Sequence, residues 1–289
     1  MAIFSSAVFW IRSKGVMMDY VTILSLLAVV LIGLPHGAMD GAVALAMGYG
    51  RSSLRMASFL ILYILIAIAV VMFWLSVPEV ALFGFLLLSV WHFGSGDSQE
   101  NLTPILRVLQ SLSHGGLIVF GISMADRDAA DLIFSWLIFG DTAQLWYWFD
   151  LVVWLWWPCF ALYVASGIVE TRIYRRLGEL AGLAVVVMVM PALTSFAIYF
   201  CLVHTPRHIM RVLNMLKDTI SYRMVISLTA IFTVTSWLAG GILFIALQQS
   251  IEMAPASMMV VFIGLAALTV PHSLLIDGLF RPSFEKRKE

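Results

Sequence analysis

Long apolar runs separated by short polar connections repeat along almost the whole chain. Within each run the apolar residues are continuous rather than alternating, and this favours helices over β-strands. A helix of about 20 apolar residues is long enough to cross the roughly 30 Å hydrocarbon core of a bilayer. The pattern therefore predicts an all-α, polytopic bundle of about eight or nine membrane-spanning helices, forming one integral membrane domain over residues 1–289. The apolar runs are Val21–Met47, Arg55–Val77, Val80–Ser95, Pro104–Met124, Leu145–Gly167, Leu177–Met190, Ala192–Lys217, Met224–Leu247 and Pro255–Phe280.

The stretch from Leu177 to Lys217 decides between eight and nine spans, because Pro191 either lies inside one long helix or separates two helices. With one helix, the 17 Lys and Arg residues divide 11 to 6 between the two sides of the membrane. With a break at Pro191 they divide 14 to 3. Cytoplasmic loops are rich in Lys and Arg, so the more asymmetric arrangement is favoured. We therefore expect nine spans in the inner (plasma) membrane, with the C-terminus on the cytoplasmic side.

Composition supports the membrane interpretation and excludes other classes of protein. Hydrophobic residues make up 62% of the chain and charged residues 12%, whereas a soluble domain has about 25% charged residues. The net charge is zero, so no basic surface suggests a nucleic-acid partner. The two cysteines both lie in apolar runs and indicate neither a disulfide framework nor a cysteine metal site.

The sequence also allows predictions for the N-terminal segment and for the most acidic connection. Residues 1–14 have no positive region before their short apolar stretch and no clear cleavage site, so they make a poor signal peptide. We expect this segment to stay attached and to lie at the membrane interface. The acidic connection from Asp126 to Asp141 is expected to hold a short interfacial helix.

Five of the six histidines lie in short polar islands within or beside the apolar runs. One buried histidine is most simply explained by a hydrogen bond to a neighbour. Several histidines from separate spans favour a shared function, because each would otherwise need its own partner in an apolar interior. The sixth, His114, stands among small residues and is not assigned to a site. The islands pair His36 with Asp40, His92 with Asp97, His204 with His208, and His272 with Asp277.

His204 and His208 are four residues apart in the stretch H-T-P-R-H. On a helix this spacing places both imidazoles on one face, which is how one helix provides two ligands to a metal. Pro206 lies between them and removes a backbone donor, so the helix is expected to kink or widen there. By itself the spacing is equally typical of two interfacial histidines near a helix end.

The residue types around the histidines narrow the chemistry. Imidazole ligands suit zinc, copper, iron and nickel. Thr205 stands where the zinc-protease helix has its glutamate base, and no G-x-S-x-G is present, so peptidase and serine-hydrolase functions are not supported. Neutral histidines favour iron(II) with open positions for a small ligand such as O2, and Asp40 and Asp97 are then expected to orient ligand histidines. Spacing alone leaves iron, zinc and copper open.

Taken together, the islands resemble motifs of the Brp/Blh family of bacterial and archaeal membrane β-carotene 15,15′-dioxygenases. The motifs are G-L-P-H-G-A-M-D, W-H-F-G with a following aspartate, Y-F-C-L-V-H-T-P-R-H and F-I-G-L-A-A-L-T-V-P-H. They span residues 33–277 in the family order, so the resemblance covers nearly the whole chain. One departure is Gly41, since many members carry a histidine at that position.

The resemblance implies a non-haem Fe(2+) bound by four histidines, which also serve as the catalytic residues: His36, His92, His204 and His208. It places His272 in the pocket or among the residues that orient the ligands. The implied reaction is oxidative cleavage of the central double bond of β-carotene by O2, which gives two molecules of all-trans-retinal. Substrate and product would both be dissolved in the lipid bilayer, and passage of retinal to a microbial rhodopsin is a hypothesis resting on the resemblance alone.

Three other functions remain as alternatives. A bis-histidine haem protein for electron transfer would place histidine pairs on facing helices and show a Soret band. A transporter that relays protons through buried histidines would require discontinuous helices and internal repeats. Breaks are expected at Pro35 and Pro191, but the sequence shows no repeat. The third alternative is a metal-containing accessory factor without turnover.

Overall fold

The computed structural model describes residues 18–99 and 101–280, apart from the side chains of residues 279 and 280. The described residues are helices and short connections, with no strand among them. This confirms the all-α membrane bundle expected from the continuous apolar runs. The expectation for residues 1–14 falls outside the described part of the chain.

The helices follow one another with few long connections. The α-helices are α1 (Tyr20–Ala28), α2 (Asp40–Ala46), α3 (Ser53–Ser76), α4 (Pro78–Asp97), α5 (Pro104–Gly116), α6 (Ile122–Ala125), α7 (Arg127–Ile138), α8 (Ala143–Ser166), α9 (Tyr174–Val189), α10 (Ala192–Tyr199), α11 (Thr205–Leu216), α12 (Tyr222–Gln248) and α13 (Met253–Ser273). The 3₁₀ segments are Leu34–Met39, Tyr49–Arg51 and Thr171–Ile173. The π-helical segments are Val29–Gly33, Leu117–Gly121, Phe200–His204 and Leu274–Phe280.

Side-chain caps define where several of the long helices begin. The hydroxyls of Ser52, Thr103 and Ser221 accept hydrogen bonds from backbone N–H groups in the first turns of α3, α5 and α12. Such a cap satisfies a donor that has no partner inside the helix. Hydroxyl residues therefore stand at these three places where a polar connection gives way to an apolar run.

Seven helical stretches in the described part of the chain are long and apolar enough to cross a membrane. The expected eight or nine spans exceed this number, and the difference lies in residues 174–216. The expected break at Pro191 is present, since α9 ends at Val189 and α10 begins at Ala192. The seven stretches are Tyr20–Ala46, Ser53–Ser76, Pro78–Asp97, Pro104–Ala125, Ala143–Ser166, Tyr222–Gln248 and Met253–Gly278.

Length and charge explain why residues 174–216 do not add two regular spans. Helix α9 has 16 residues, which corresponds to about 24 Å at 1.5 Å per residue and is short of the bilayer core. The helical stretch from Ala192 to Leu216 is long enough, but it carries Arg207, Arg211 and two histidines. The polar side chains in the second half of this stretch therefore lower its overall hydrophobicity, although its first half is apolar.

The described chain divides into two compact units. One consists of the described residues of Met1–Pro78 and Thr205–Glu289, and the other of Glu79–His204. In the first unit α13 packs against α3 and α12, and α12 packs against the 3₁₀ segment Leu34–Met39. In the second unit α5 packs against α8. A single domain over residues 1–289 remains a prediction.

The first unit has an apolar core between α2, α11, α12 and the C-terminal π segment. The 3₁₀ segment Leu34–Met39 also contacts α11. This arrangement places the residues around position 36 beside those of α11 and α12. The core consists of Met39, Ala42, Val43, Val212, Leu216, Val225, Leu275 and Ile276.

Glycines allow α4 and α5 to make direct backbone contact in the second unit. A Cβ atom on Gly94 would lie 1.9 Å from the carbonyl oxygen of Ser111, and one on Gly115 would lie 1.9 Å from that of Val90. Real Cβ atoms do not come so close, so only glycine permits this contact. Small residues commonly bring membrane helices together in this way.

The acidic connection contains a helix, as expected, in the form of α7 (Arg127–Ile138). Its first residue, Arg127, donates two hydrogen bonds to the carboxylate of Asp150, at 2.9 and 2.8 Å. The guanidinium carbon also lies 4.1 Å from the ring centre of Trp146. The hydrogen bonds that Arg127 donates to Asp150 raise the pKa of Arg127 above its usual value. These contacts attach the start of α7 to α8, while a location of α7 at the membrane interface remains a prediction.

We predict that Gly94→Ala destabilises the protein because its new methyl group meets the backbone of Ser111. The expected loss is about 1–3 kcal/mol, typical of overpacking in a rigid environment. Gly84→Ala is the matched control on the same helix, since nothing lies within 4 Å of its Cβ position. Thermal unfolding of both variants in detergent is the measurement. Equal melting temperatures for the two variants would contradict the close approach of α4 and α5.

Candidate functional site

The first unit brings three of the predicted histidines together. His36, His208 and His272 are all buried, with side chains no more than 7% exposed. The ring centre of His36 lies 5.2 Å from that of His208 and 5.5 Å from that of His272. The rings of His208 and His272 are 5.0 Å apart. A buried cluster of three imidazoles is thus formed by residues distant in sequence.

The local backbone holds the ring of His36 in a defined orientation. His36 lies in the 3₁₀ segment Leu34–Met39, directly after the π segment Val29–Gly33. Its Nδ1 forms a short hydrogen bond with the carbonyl oxygen of Gly33. A neutral imidazole that donates from Nδ1 has its lone pair on Nε2, the arrangement commonly found in metal-binding histidines.

Asp40 links His272 to a tyrosine of α3. One carboxylate oxygen lies 2.8 Å from Nδ1 of His272, and the other accepts a hydrogen bond of 2.8 Å from the hydroxyl of Tyr63. The same hydroxyl lies 3.3 Å from the carbonyl oxygen of Leu268. Asp40 is only 4% exposed, so these partners replace the water that a carboxylate would otherwise need. The contact directs Nδ1 of His272 towards Asp40.

The structure gives Asp40 a different partner from the one its sequence neighbourhood suggests. Asp40 is four residues after His36, but its carboxylate contacts His272, which is 232 residues away in the chain. A backbone carbonyl orients His36 instead. Tyr63 was missed by the sequence analysis because it lies within the apolar run Arg55–Val77 and not in a polar island. A tyrosine hydroxyl in the middle of an apolar spanning segment is the signal that points to it.

The second unit contains the other two predicted histidines, His92 on α4 and His204 at the end of the π segment Phe200–His204. Their ring centres are 5.3 Å apart, and both side chains are buried. The ring of His204 packs edge-on against Phe93 at 4.9 Å and stacks on Phe200 at 5.9 Å. Aromatic side chains thus surround this pair.

Asp97 in the second unit also accepts a hydrogen bond from a tyrosine. Its carboxylate lies 2.8 Å from the hydroxyl of Tyr199, and the side chain is only 2% exposed. Tyr199 also packs near His204, with their ring centres 6.1 Å apart. Each predicted aspartate therefore has a tyrosine partner that sequence spacing does not reveal.

Prolines accompany two of the irregular helical segments. Pro35 stands two residues after the π segment Val29–Gly33, and Pro206 stands two residues after Phe200–His204. Proline lacks the N–H that would donate to the carbonyl four residues earlier, so the regular helical ladder is interrupted there. π-helical turns often occur at functional sites. The widening expected at Pro206 is present as the π segment directly before it.

The helical path through Ala192–Leu216 is continuous across His204 and His208. His204 closes the π segment, and His208 lies in the first turn of α11. Both imidazoles are buried, at 2% and 4% exposure. The burial disfavours the alternative in which the two are exposed interfacial histidines.

A cavity of about 200 Å³ adjoins the histidine cluster of the first unit. His36, Asp40 and His272 line one part of its wall. The remaining wall is mainly apolar and comes from the 3₁₀ segment Leu34–Met39, from Gly41 and from α3, α12 and α13. The cavity thus places a mainly apolar space directly beside His36 and His272.

His114 has a separate environment in the second unit. Its side chain is 1% exposed, and its ring packs edge-on against Tyr163 at 5.8 Å. Gln110, one turn earlier, accepts from the backbone N–H of Gln99 at 2.7 Å and donates to the hydroxyl of Tyr163 at 3.0 Å. His114 therefore belongs to the packing between α5 and α8.

Comparison with known proteins gives a consistent result. A family model described as beta-carotene 15,15′-dioxygenase matches residues 27–280. A protein named beta-carotene 15,15′-dioxygenase, from the uncultured marine bacterium 66A03, is 36% identical over 268 residues. The match covers 91% of this chain and 96% of that protein. No solved structure gives a significant match.

We predict that Asp40→Ala lowers stability more than Tyr63→Phe does. The alanine removes both contacts of a buried carboxylate, worth about 1.5–3 kcal/mol each, whereas the phenylalanine removes one of them and leaves the contact with His272. Thermal unfolding of the purified variants in detergent is the measurement. Tyr147→Phe serves as the control because Tyr147 is 67% exposed. An Asp40→Ala variant as stable as the wild type would argue against the bridge from Tyr63 to His272.

Proposed function

Because the chain belongs to the beta-carotene 15,15′-dioxygenase family, we propose that it cleaves the central double bond of β-carotene with O2 at a non-haem iron(II) site. The proposed ligands are His36, His92, His204 and His208. The product would be two molecules of all-trans-retinal. One O2 supplies one oxygen atom to each carbon of the broken double bond, so the reaction needs no further reductant.

The observation that carries this proposal is the family match over nearly the whole chain, together with the burial of each proposed ligand. The match includes all four motif regions, and the related protein has almost the same length. A carotenoid dioxygenase is therefore favoured over a haem electron carrier, a proton-coupled transporter or an accessory factor without turnover.

The residues present suit iron(II). Neutral imidazoles are good ligands for iron, and a set of four leaves open positions for O2. Nδ1 of His36 is engaged by the carbonyl of Gly33, which leaves Nε2 to act as the ligand atom. Aromatic side chains surround His204, and all four proposed ligands are buried. We therefore expect that bulk water does not compete with the metal for these histidines.

Bound iron would supply the activation of O2, and the protein would supply position and a dry environment. The carbonyl of Gly33 holds His36 in one orientation. Asp40 and Tyr63 hold His272 beside His36 and His208, so that this ring shapes the wall next to the ligands. Asp97 and Tyr199 have the corresponding position near His204.

The membrane location matches the substrate proposed. β-Carotene is soluble only in hydrocarbon and is about as long as the roughly 30 Å core is thick. Its central bond would therefore lie near mid-depth when the molecule stands across the bilayer. We place the enzyme in the inner membrane with a cytoplasmic C-terminus, on the basis of the Lys and Arg distribution. We also propose that retinal leaves through the lipid and is taken up by a microbial rhodopsin.

We predict that His36→Ala and His208→Ala abolish retinal formation and lower the iron content of the purified protein. Each substitution removes one of the four proposed ligands, and the loss of one ligand commonly prevents stable binding of the metal. The variants are expressed in β-carotene-producing bacteria, the pigments are separated by chromatography, and iron is measured by elemental analysis.

His114→Ala is the matched control, since it removes a buried histidine that packs against Tyr163 and lies outside the proposed set. It should retain iron in whatever fraction of the protein folds. Intact β-carotene beside well-expressed, iron-loaded wild-type protein would overturn the proposed activity. A Soret band in the purified wild type would overturn the non-haem site.

We predict that metal removal by a chelator abolishes cleavage, that iron(II) restores it, and that zinc(II) does not. Zinc binds imidazole well but has no redox chemistry, so it can occupy the ligands without activating O2. Retinal formation in detergent micelles is the measurement, with each metal added back separately. Restoration by zinc would contradict an iron-dependent oxidation.

A further inference from the structure

The cavity of the first unit extends from the buried histidines to the surface of the spanning helices. Its deep wall contains His36 and His272, and its outer wall contains Ile64, which is 56% exposed. At about 200 Å³ it is smaller than the roughly 300–1,000 Å³ of pockets that enclose a drug-sized ligand. It therefore suits one segment of a long molecule better than a whole one.

The outer wall lies on the two spans that are least covered by protein. Among the seven candidate spans in the described residues, α3 and α12 have the smallest buried shares, 0% and 6%. Both are apolar enough to cross the membrane, so their uncovered faces contact lipid. A molecule that enters between them comes from the hydrocarbon and not from water.

One wall of the cavity depends on a glycine. A Cβ atom on Gly41 would lie 2.1 Å from Cε2 and 2.7 Å from Cδ2 of Phe232, and both residues line the cavity. The ring of Phe232 on α12 thus occupies the space that any larger residue at position 41 would need. Position 41 directly follows Asp40, so the ring stands close to the deep end.

We propose that this cavity is the passage by which the carotenoid reaches the histidines from the bilayer, and that Phe232, seated against Gly41, sets its width. The inference rests on the proposed carotenoid cleavage and adds a specificity-determining residue to it. The occupant is a linear, apolar polyene, which matches the mainly apolar wall and the opening towards lipid.

A linear substrate that is cut in the middle makes this width important. To bring a mid-chain bond to His36, one complete end of the molecule must first pass the ring of Phe232. Cyclic end groups are broader than acyclic ones, so the passage discriminates between them. A wider passage should favour broad end groups, and a narrower one should reject them.

The test compares Phe232→Ala, Gly41→Ala and the double variant on β-carotene and on lycopene, an acyclic carotene. In Gly41→Ala the new methyl group pushes the ring of Phe232 aside. The cavity is the open space beside the ring, so the ring moves into it and narrows the passage. We expect the ratio of kcat/KM for β-carotene to that for lycopene to fall about tenfold in Gly41→Ala, a size typical of steric discrimination in an apolar pocket. Phe232→Ala should raise the ratio, and the double variant should lose the effect of Gly41→Ala because no ring remains for the methyl group to meet.

The controls are Gly241→Ala and Phe244→Ala on α12, neither of which lines the cavity. Nothing lies within 4 Å of the Cβ position of Gly241. Both controls should keep the wild-type ratio. Unchanged ratios in Phe232→Ala and in Gly41→Ala, with wild-type cleavage intact, would overturn the passage.

A second measurement separates this inference from the proposed reaction. Chelator-treated protein is purified from cells that accumulate β-carotene or lycopene, and the carotenoid retained per protein is determined by absorbance. The ratio of retained β-carotene to retained lycopene should rank the variants in the same order as the kcat/KM ratio, although no cleavage takes place. Retention that responds to Phe232 in a protein that never cleaves carotenoid would sink the proposed function and keep the passage. Retention that ignores both Phe232 and Gly41 would sink the passage.

Discussion

The cost of placing polar groups in hydrocarbon organises this structure. A carboxylate or an imidazole inside a membrane span must find protein partners, because no water is present to replace them. Asp40 satisfies this requirement by accepting a hydrogen bond from Tyr63 and contacting His272, and these contacts join α2, α3 and α13 at one point. The same rule accounts for Asp97 and Tyr199 in the second unit. The polar groups therefore fix which helices meet around the histidines, and the apolar residues only fill the space between them.

Backbone irregularity is the second consequence of building a site inside a helical bundle. In a regular helix each carbonyl group is already bonded to an N–H of the same helix, so few of them are available to orient a side chain from another turn or helix. Beside Pro35 the chain leaves the regular ladder, and the carbonyl of Gly33 becomes the partner of His36. The π segment next to it also provides the carbonyl of Val30, which accepts a hydrogen bond from Trp237 at 2.9 Å. Backbone carbonyl groups at this irregular segment thus orient His36 and, through Trp237, also attach α12.

The sequence was sufficient for the helical class, the break at Pro191 and the helix in the acidic connection, whereas the burial of His204 and His208 was left open by their spacing and is shown by the structure. These features depend on local properties, namely apolar run length, proline chemistry and the rarity of polar residues in the spans. The pairing of Asp40 with His272 was not predictable, because it joins residues 232 positions apart and depends on how α13 packs. Tyr63 and Tyr199 were missed for a related reason, since each is the only partner-bearing hydroxyl in an otherwise apolar turn. The expected span count exceeds the seven candidate spans of the described residues because the apolar runs alone reveal neither the short length of α9 nor the effect of the arginines of α11.

Gly41 shows how a departure from a family pattern acquires a physical meaning in the structure. In the sequence it was only the absence of a histidine that many members carry. In the fold it is the residue that admits the ring of Phe232 beside Asp40, because any Cβ atom at that position would overlap the ring. A larger side chain at position 41 and an aromatic ring at position 232 exclude each other in this arrangement. A larger residue at position 41 therefore requires the ring of Phe232 to move or to be replaced, and a change at either position alters the wall of the cavity while His36, His92, His204 and His208 stay the same. If the cavity is the proposed passage, substrate width and cleavage chemistry can vary separately within one fold.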